Sequence, residues 1–236
     1  MTIQVPRITH PQSVPVVGTD AHLRALSSQI LNAHALREVF ASPRDAWTPE
    51  IPGDGRLQDA PTRDASVLVP LVQRDHGLHV LLTRRTDHLH DHAGQISFPG
   101  GRKDPEDADV VATALRETEE EIGLAREHIE VVGQLPIYTT VTHYRVTPVV
   151  ALVQPPFSLT LDSFEVAEAF EVPLSFLMNP AHHRRHEVSF EQMTRQFLSM
   201  PWQEGAREFF IWGATAAMVR NLYGFLAAHD VYHPSP

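Results

Sequence analysis

The chain has 236 residues, of which 42% are hydrophobic and 20% charged, with a formal net charge of −10 and no cysteine. It carries enough apolar material for one domain with a sizeable core, and too little charge for a disordered chain. The acidic balance argues against a general nucleic-acid binder, whose affinity rests on phosphate neutralisation, and the lack of cysteine excludes disulfides, cysteine-ligated zinc and thiol nucleophiles.

Residues 1–6 show no charged region followed by an apolar core, and no apolar run approaches the length of a membrane span. A cytoplasmic protein without membrane contact is expected. Residues 1–60 read as an arm, a helix and a linker, and 61–232 as the main domain. The arm, 1–18, is proline-bearing and irregular. Asp20 is a plausible N-cap for a helix carrying Leu23, Leu26, Ile30 and Leu31 that stops near Pro43. Its expected role is packing, with a lid or dimer contact as the alternative. Residues 47–63 are rich in Pro, Gly and Asp and read as a linker.

Strands are expected at 67–69 and 78–82, joined through Asp75, His76 and Gly77 as a hairpin. Pro70 argues that its strand is at an edge or begins there. The Gly100-Gly101 turn leads to a helix over 107–122, followed by strands at 129–137 and 143–153. A mixed segment covers 164–211, with a short helix near 174–179. A last helix over 214–228 shows Met218, Leu222 and Phe225 on one face. His182, His183, Arg184, Arg185 and His186 look like a solvated loop, and Trp212 and Phe225 like core. Strands mixed with flanking helices suggest an α/β/α sandwich around a mixed sheet.

The 107–122 helix carries the chemistry. At about 100° per residue, Glu117, Glu120 and Glu121 share one narrow arc, Glu119 points elsewhere, and Val111, Leu115, Thr118 and Ile122 form the packed face. Like charges three and four residues apart destabilise a helix; two carboxylates about 5 Å apart repel by roughly 3 kcal/mol at an effective dielectric near 20. Divalent metal binding offsets that cost, and clustered carboxylates suit Mg²⁺ or Mn²⁺. The bland alternative is a charged, solvated helix face.

The run Arg116-Glu117-Thr118-Glu119-Glu120-Glu121-Ile122-Gly123-Leu124 resembles the C-terminal half of the Nudix box, with Thr118 at an aliphatic position. The N-terminal half has one extra residue: Gly101 lies fifteen positions before Arg116, and Ala108 stands where the box has its first Glu, with Glu106 or Asp107 available to cover for it. Upstream, Leu81-Leu82-Thr83-Arg84-Arg85-Thr86 leads through His90 and Gly94 to Phe98-Pro99-Gly100-Gly101. This resembles the motif of coenzyme A diphosphatases in the Nudix superfamily, with Thr86 in place of Ser/Ala and His90 in place of Arg. The likeness covers roughly residues 64–229.

The resemblance implies a Nudix-type α/β/α sandwich, with 61–232 as the hydrolase domain. It implies Mg²⁺ or Mn²⁺ held by Glu117, Glu120, Glu121 and the Gly101 carbonyl, with Arg116 orienting the carboxylates through Asp107 or Glu106. Glu165 matches a recurrent position for the general base; Glu168 is its nearest rival, and Glu120 or Glu121 could act directly. Coenzyme A as substrate would give 4′-phosphopantetheine and adenosine 3′,5′-bisphosphate. Arg85 is the candidate phosphate grip, with His92 and Gln95 as further contacts. His90 in place of Arg would carry charge only part of the time. The alternative substrate is another nucleoside diphosphate derivative, such as ADP-ribose or a dinucleotide. A ligand-sensing domain without catalysis is the third reading, opposed by the presence of all three box carboxylates. His88, His90 and His92 as a zinc site is a minor reading, short of a fourth ligand. A homodimer is compatible with all of these.

Overall fold

A computed structural model of the protein describes residues 8–42, 47–54, 61–89, 93–190 and 193–230. In chain order the strands are β1 (Val16–Thr19), β2 (Arg63–Arg74), β3 (Gly77–Arg85), β4 (Ile96–Ser97), β5 (Gly100–Arg102), β6 (Ile129–Gln134), β7 (Tyr138–Thr139), β8 (Tyr144–Val153), β9 (Val166–Pro173), β10 (Arg184–Phe190), β11 (Met193–Glu204) and β12 (Arg207–Trp212). The helices are α1 (Ala33–Ala41), α2 (Val110–Ile122), α3 (Leu174–Leu177) and α4 (Gly213–Asp230).

Alternation along β2 and β8 divides the apolar residues between two faces. Leu68, Val149 and Ala151 meet Ala114 of α2, with Val111 and Leu115 packed around them. Val69, Leu71, Val150 and Leu152 point the other way, into a core shared with Leu36, Val39 and Phe40 of α1 and Met218, Leu222 and Phe225 of α4. The sheet between them has the order β4-β3-β2-β8-β6, with β9 on β3, β5 on β2 and β7 on β8. β2 and β8 run parallel from Arg63↔Tyr144 to Val72↔Val153, and the other pairings are antiparallel. This is the expected α/β/α sandwich around a mixed sheet. Among the described residues no helix is long and apolar enough to cross a membrane.

Some expectations need correction. Pro70 sits inside β2, not at an edge. It falls between the stretch paired with β5 (Ala65 to Val67) and the stretch paired with β3 (Leu71 to Arg74). The Leu68 N–H points to that side, to the Pro99 carbonyl, so by alternation the proline nitrogen lies where no ladder bond is due. The N-terminal helix starts at Ala33, capped by Asn32. Leu26, Ile30 and Leu31 reach the core from irregular backbone whose N–H groups bond to Met178 and Ser27 carbonyls. Within the 164–211 segment β9 joins the first sheet on β3 and α3 is the expected short helix, while β10, β11 and β12 form with β1 a second, antiparallel sheet of order β1-β10-β11-β12.

Residues 182–186 are not a solvated loop: His183 and His186 are buried. Arg185 donates to both Asp20 carboxylate oxygens, at 2.6 and 3.0 Å, and Arg220 of α4 reaches the same carboxylate at 3.1 Å. Glu50 bridges both arginines. Asp20 is therefore the buried anion of a charge network rather than a helix cap.

α2 forms because Asp109 caps the Ala112 N–H at 2.8 Å and Gly123 ends the helix at φ 66°. It starts later than expected because Asp104 and Asp107 are held in a turn, where the Asp104 N–H donates to the Asp107 carboxylate.

Candidate active site

α2 presents its carboxylates at three depths. Glu121 is buried, Glu117 lies partly inside, and Glu120 is largely exposed. Thr118, on the packed side, is buried with its hydroxyl bonded to the Ala114 carbonyl. Glu119 leaves the cluster to pair with Arg126. Arg116 organises the outer part. Its guanidinium grips Asp107 through two hydrogen bonds at 3.0 and 2.9 Å, and its Nη1 reaches Glu117 at 3.0 Å and Glu120 at 2.8 Å. The Arg102 carbonyl accepts a further bond. Asp107, not Glu106, is thus the partner of Arg116, and that contact holds its carboxyl far below the usual range.

Glu121 belongs to the inner part. The Gly100 N–H donates to its Oε2 at 3.1 Å, and Arg85 Nη1 stands 3.6 Å from its Oε1. Burial pushes its carboxyl up to about 7, against the pull of the Gly100 bond and Arg85; Glu165 and Glu117 add repulsion. Arg85 ends β3 and also faces Glu165, with Nη2 at 3.5 Å from its carboxylate. The Arg85 Nε–H is buried and finds no hydrogen-bond partner among the described residues. The turn carrying Glu165 is fixed to both neighbours: the Asp162 N–H donates to the Glu121 carbonyl, and the Thr86 N–H to the Glu165 carbonyl.

A NUDIX domain model matches residues 62–202. The protein is 40% identical over 161 residues to a relative from Escherichia coli O1:K1 / APEC named "Uncharacterized Nudix hydrolase NudL", covering 68% of this chain and 81% of that one. The relative of the same name from Shigella boydii serotype 18 matches equally. The chain belongs to the Nudix family. It is accordingly a Nudix hydrolase, an enzyme of nucleoside diphosphate derivatives. A crystal structure of a C. elegans Ap4A hydrolase binary complex overlays with a TM-score of 0.42 at 22% identity, over 51% of this chain and 86% of that chain.

Nudix hydrolases generally use divalent metal ions, and the donors present here fit one. The space a side chain would fill at Gly101 is taken by the Glu117 carboxylate. Burial raises the Glu117 carboxyl, and Glu120 and Glu165 raise it further, against Arg116. Clustered carboxylate oxygens suit a hard dication. Among the described residues no three acidic or histidine side chains stand close enough to enclose a metal unaided. The protein therefore offers part of a shell, and Mg²⁺ ordinarily completes its own with water and substrate oxygens.

Of the other expected site residues, His92 and His90 lie outside the described residues. Gln95 contributes its backbone carbonyl, which accepts from the Arg85 N–H at 2.9 Å. Glu168 is drawn away on the opposite side of β3, bonded to Arg84 at 2.9 Å and to Arg207. Sequence reading missed the Asp162 and Thr86 anchors of the Glu165 turn. Thr86 occupies a Ser/Ala motif position, and its hydroxyl donates to the Phe164 carbonyl at 2.8 Å. A serine could make the same bond, and that was the available signal.

Proposed function

We propose that this Nudix hydrolase cleaves the diphosphate linkage of coenzyme A or its derivatives, yielding 4′-phosphopantetheine and adenosine 3′,5′-bisphosphate. The observation that carries the reading is Arg85. It stands inside the upstream motif, between Glu121 and Glu165, with a buried donor that lacks a partner among the described residues. A diphosphate oxygen is the natural acceptor for that donor, because a guanidinium grips phosphate through parallel charge-assisted bonds. In this reading Glu117, Glu120, Glu121 and the Gly101 carbonyl hold Mg²⁺ or Mn²⁺, residues 61–232 are the hydrolase domain, and the enzyme is cytoplasmic.

When bound, the dication supplies Lewis-acid polarisation and lowers the pKa of water. The chain's own residues do the rest. Arg116, braced by Asp107, holds Glu117 and Glu120 in place. The Gly100 N–H fixes Glu121. Arg85 neutralises the incoming diphosphate and in doing so loosens its hold on Glu165. The freed Glu165 carboxylate takes the proton of the attacking water. Glu168 is excluded from that role by its two arginine partners.

The test is incubation with coenzyme A and Mg²⁺ or Mn²⁺, with product separation, beside ADP-ribose and the Glu121→Gln variant. Cleavage of coenzyme A to the two named products is expected, abolished by chelation and cut by orders of magnitude in the variant. No turnover of coenzyme A beside brisk ADP-ribose cleavage would transfer the assignment to another nucleoside diphosphate derivative. The departures from the motif at Thr86 and His90 favour that alternative.

A further inference from the structure

Among the described residues four large apolar side chains stand exposed: Val16, Val17, Ile137 and Phe164. Phe164 alone is aromatic, and it precedes Glu165. The residue is 64% exposed, yet its backbone is tied down. The Phe164 N–H donates to the Asp162 carboxylate at 2.9 Å, and its carbonyl accepts from the Thr86 hydroxyl at 2.8 Å. The Asp162 carbonyl receives the N–H groups of both Glu165 and Val166. Asp162 itself bonds to the Glu121 carbonyl at the end of α2. His88, from the turn that follows Arg85 and Thr86, packs its ring edge-on against Phe164, with centroids 4.9 Å apart at 62°.

An apolar ring held in water on a braced turn gives up burial that the fold does not recover elsewhere. The two turns that meet at this pair are the two that carry Arg85 and Glu165. Nucleoside diphosphate derivatives carry a planar base one ribose away from their phosphates, and stacking on an exposed aromatic face tolerates any base because every base has a π-face. We infer that Phe164, steadied by His88, is the platform on which the base of the substrate stacks, so that it selects diphosphates bearing a nucleobase. The inference rests on Arg85 and Glu165 forming the diphosphate site and deepens that reading by assigning the other end of the substrate.

Phe164→Ala and Phe164→Tyr are compared with the unaltered enzyme on coenzyme A, ADP-ribose and a base-free diphosphate, 5-phosphoribosyl 1-diphosphate. The alanine variant should raise KM for both nucleotides about ten- to a hundredfold, with kcat nearly unchanged and the base-free compound unaffected. Tyrosine should restore binding. A second readout does not need turnover: ADP should quench the emission of Phe164→Trp beyond any change in the parent. If the unaltered enzyme cleaves no nucleoside diphosphate derivative, the functional reading fails, while ADP quenching still decides the platform. Unchanged KM together with absent quenching overturns the inference. So does an alanine variant whose only change is conversion of a dimer to a monomer, since the ring would then be a contact between copies.

Discussion

Substituting alanine at the two adjacent glycines before α2 should separate site geometry from fold stability. Gly101 lies outside the left-handed region, so alanine is allowed there by its backbone. Its Cβ would meet the Glu117 carboxylate carbon at 2.6 Å and Oε1 at 2.8 Å, with Oε2 closer still, whereas ordinary van der Waals contact starts at 3.4 Å. The obstacle is the far end of a flexible side chain, so the carboxylate yields by about 1 Å. It cannot do so without disturbing the 3.0 Å contact with Arg116. A displacement of that size at a reacting site costs on the order of 10²-fold in rate, while a loss near 1 kcal/mol lowers Tm by only about 2–4 °C. Gly100 differs: its φ is 147°, and a Cβ would meet the Val67 Cα at 2.5 Å and the Ser66 carbonyl. Backbone cannot swing aside, so Gly100→Ala should lose folded protein and activity together. Calorimetry and kcat/KM with coenzyme A read both variants. Gly101→Ala with unaltered turnover would refute the idea that the position of Glu117 over Gly101 matters to catalysis.

Arg85→Lys keeps the charge but loses the fork; kcat/KM should fall about tenfold to a hundredfold, and a change within twofold would remove Arg85 from the phosphate site. Asp20→Asn removes one of the two carboxylates that Arg220 contacts, Glu50 being the other, which should cost about 1–3 kcal/mol by urea denaturation, while turnover per folded molecule is retained. His183 supplies a pH dependence: burial, with Arg220 adding, lowers its pKa from 6.5 to about 4. Its contribution is complete above pH 6.5. It is lost as pH falls toward 4, because the unfolded chain binds the proton first, for a total of about 3 kcal/mol. Urea midpoints at pH 7.5 and 4.5 should therefore converge in His183→Gln relative to the parent; an equal pH slope in both would disprove the assignment.

The carboxylate arc of α2 was legible in the sequence because its geometry is local. A helix of known pitch puts Glu117, Glu120 and Glu121 on one side and Thr118 and Ile122 on the other, whatever the rest of the chain does. What periodicity could not supply was depth. Glu121 and Glu120 are neighbours on the helix, yet one accepts a bond from Gly100 beneath the sheet end and the other faces water. That difference is set by where β5 and β3 lie, and no spacing within α2 encodes it. The choice of Asp107 over Glu106 was undecidable for a related reason, since it depends on the turn that ties Asp107 to the Asp104 N–H.

Residues 182–186 were misread for a different physical cause. Five consecutive titratable side chains read as solvent-facing when no counter-ion is in view, because burying an unpaired charge is prohibitive. Here the counter-ions exist but are remote in sequence: Asp20 lies 165 residues from Arg185, and Glu50 lies 170 from Arg220. The same separation explains the misplaced helix. Leu26 and Ile30 have helical spacing, yet the segment is held in an irregular path by bonds from Leu26 to Met178 and from Asp20 to the β10 end. Residues 16–31 thus take their path from the second sheet, the end of α3 and α4, and a change at Asp20 or Glu50 should loosen that layer while α2 and its carboxylates keep their own local supports.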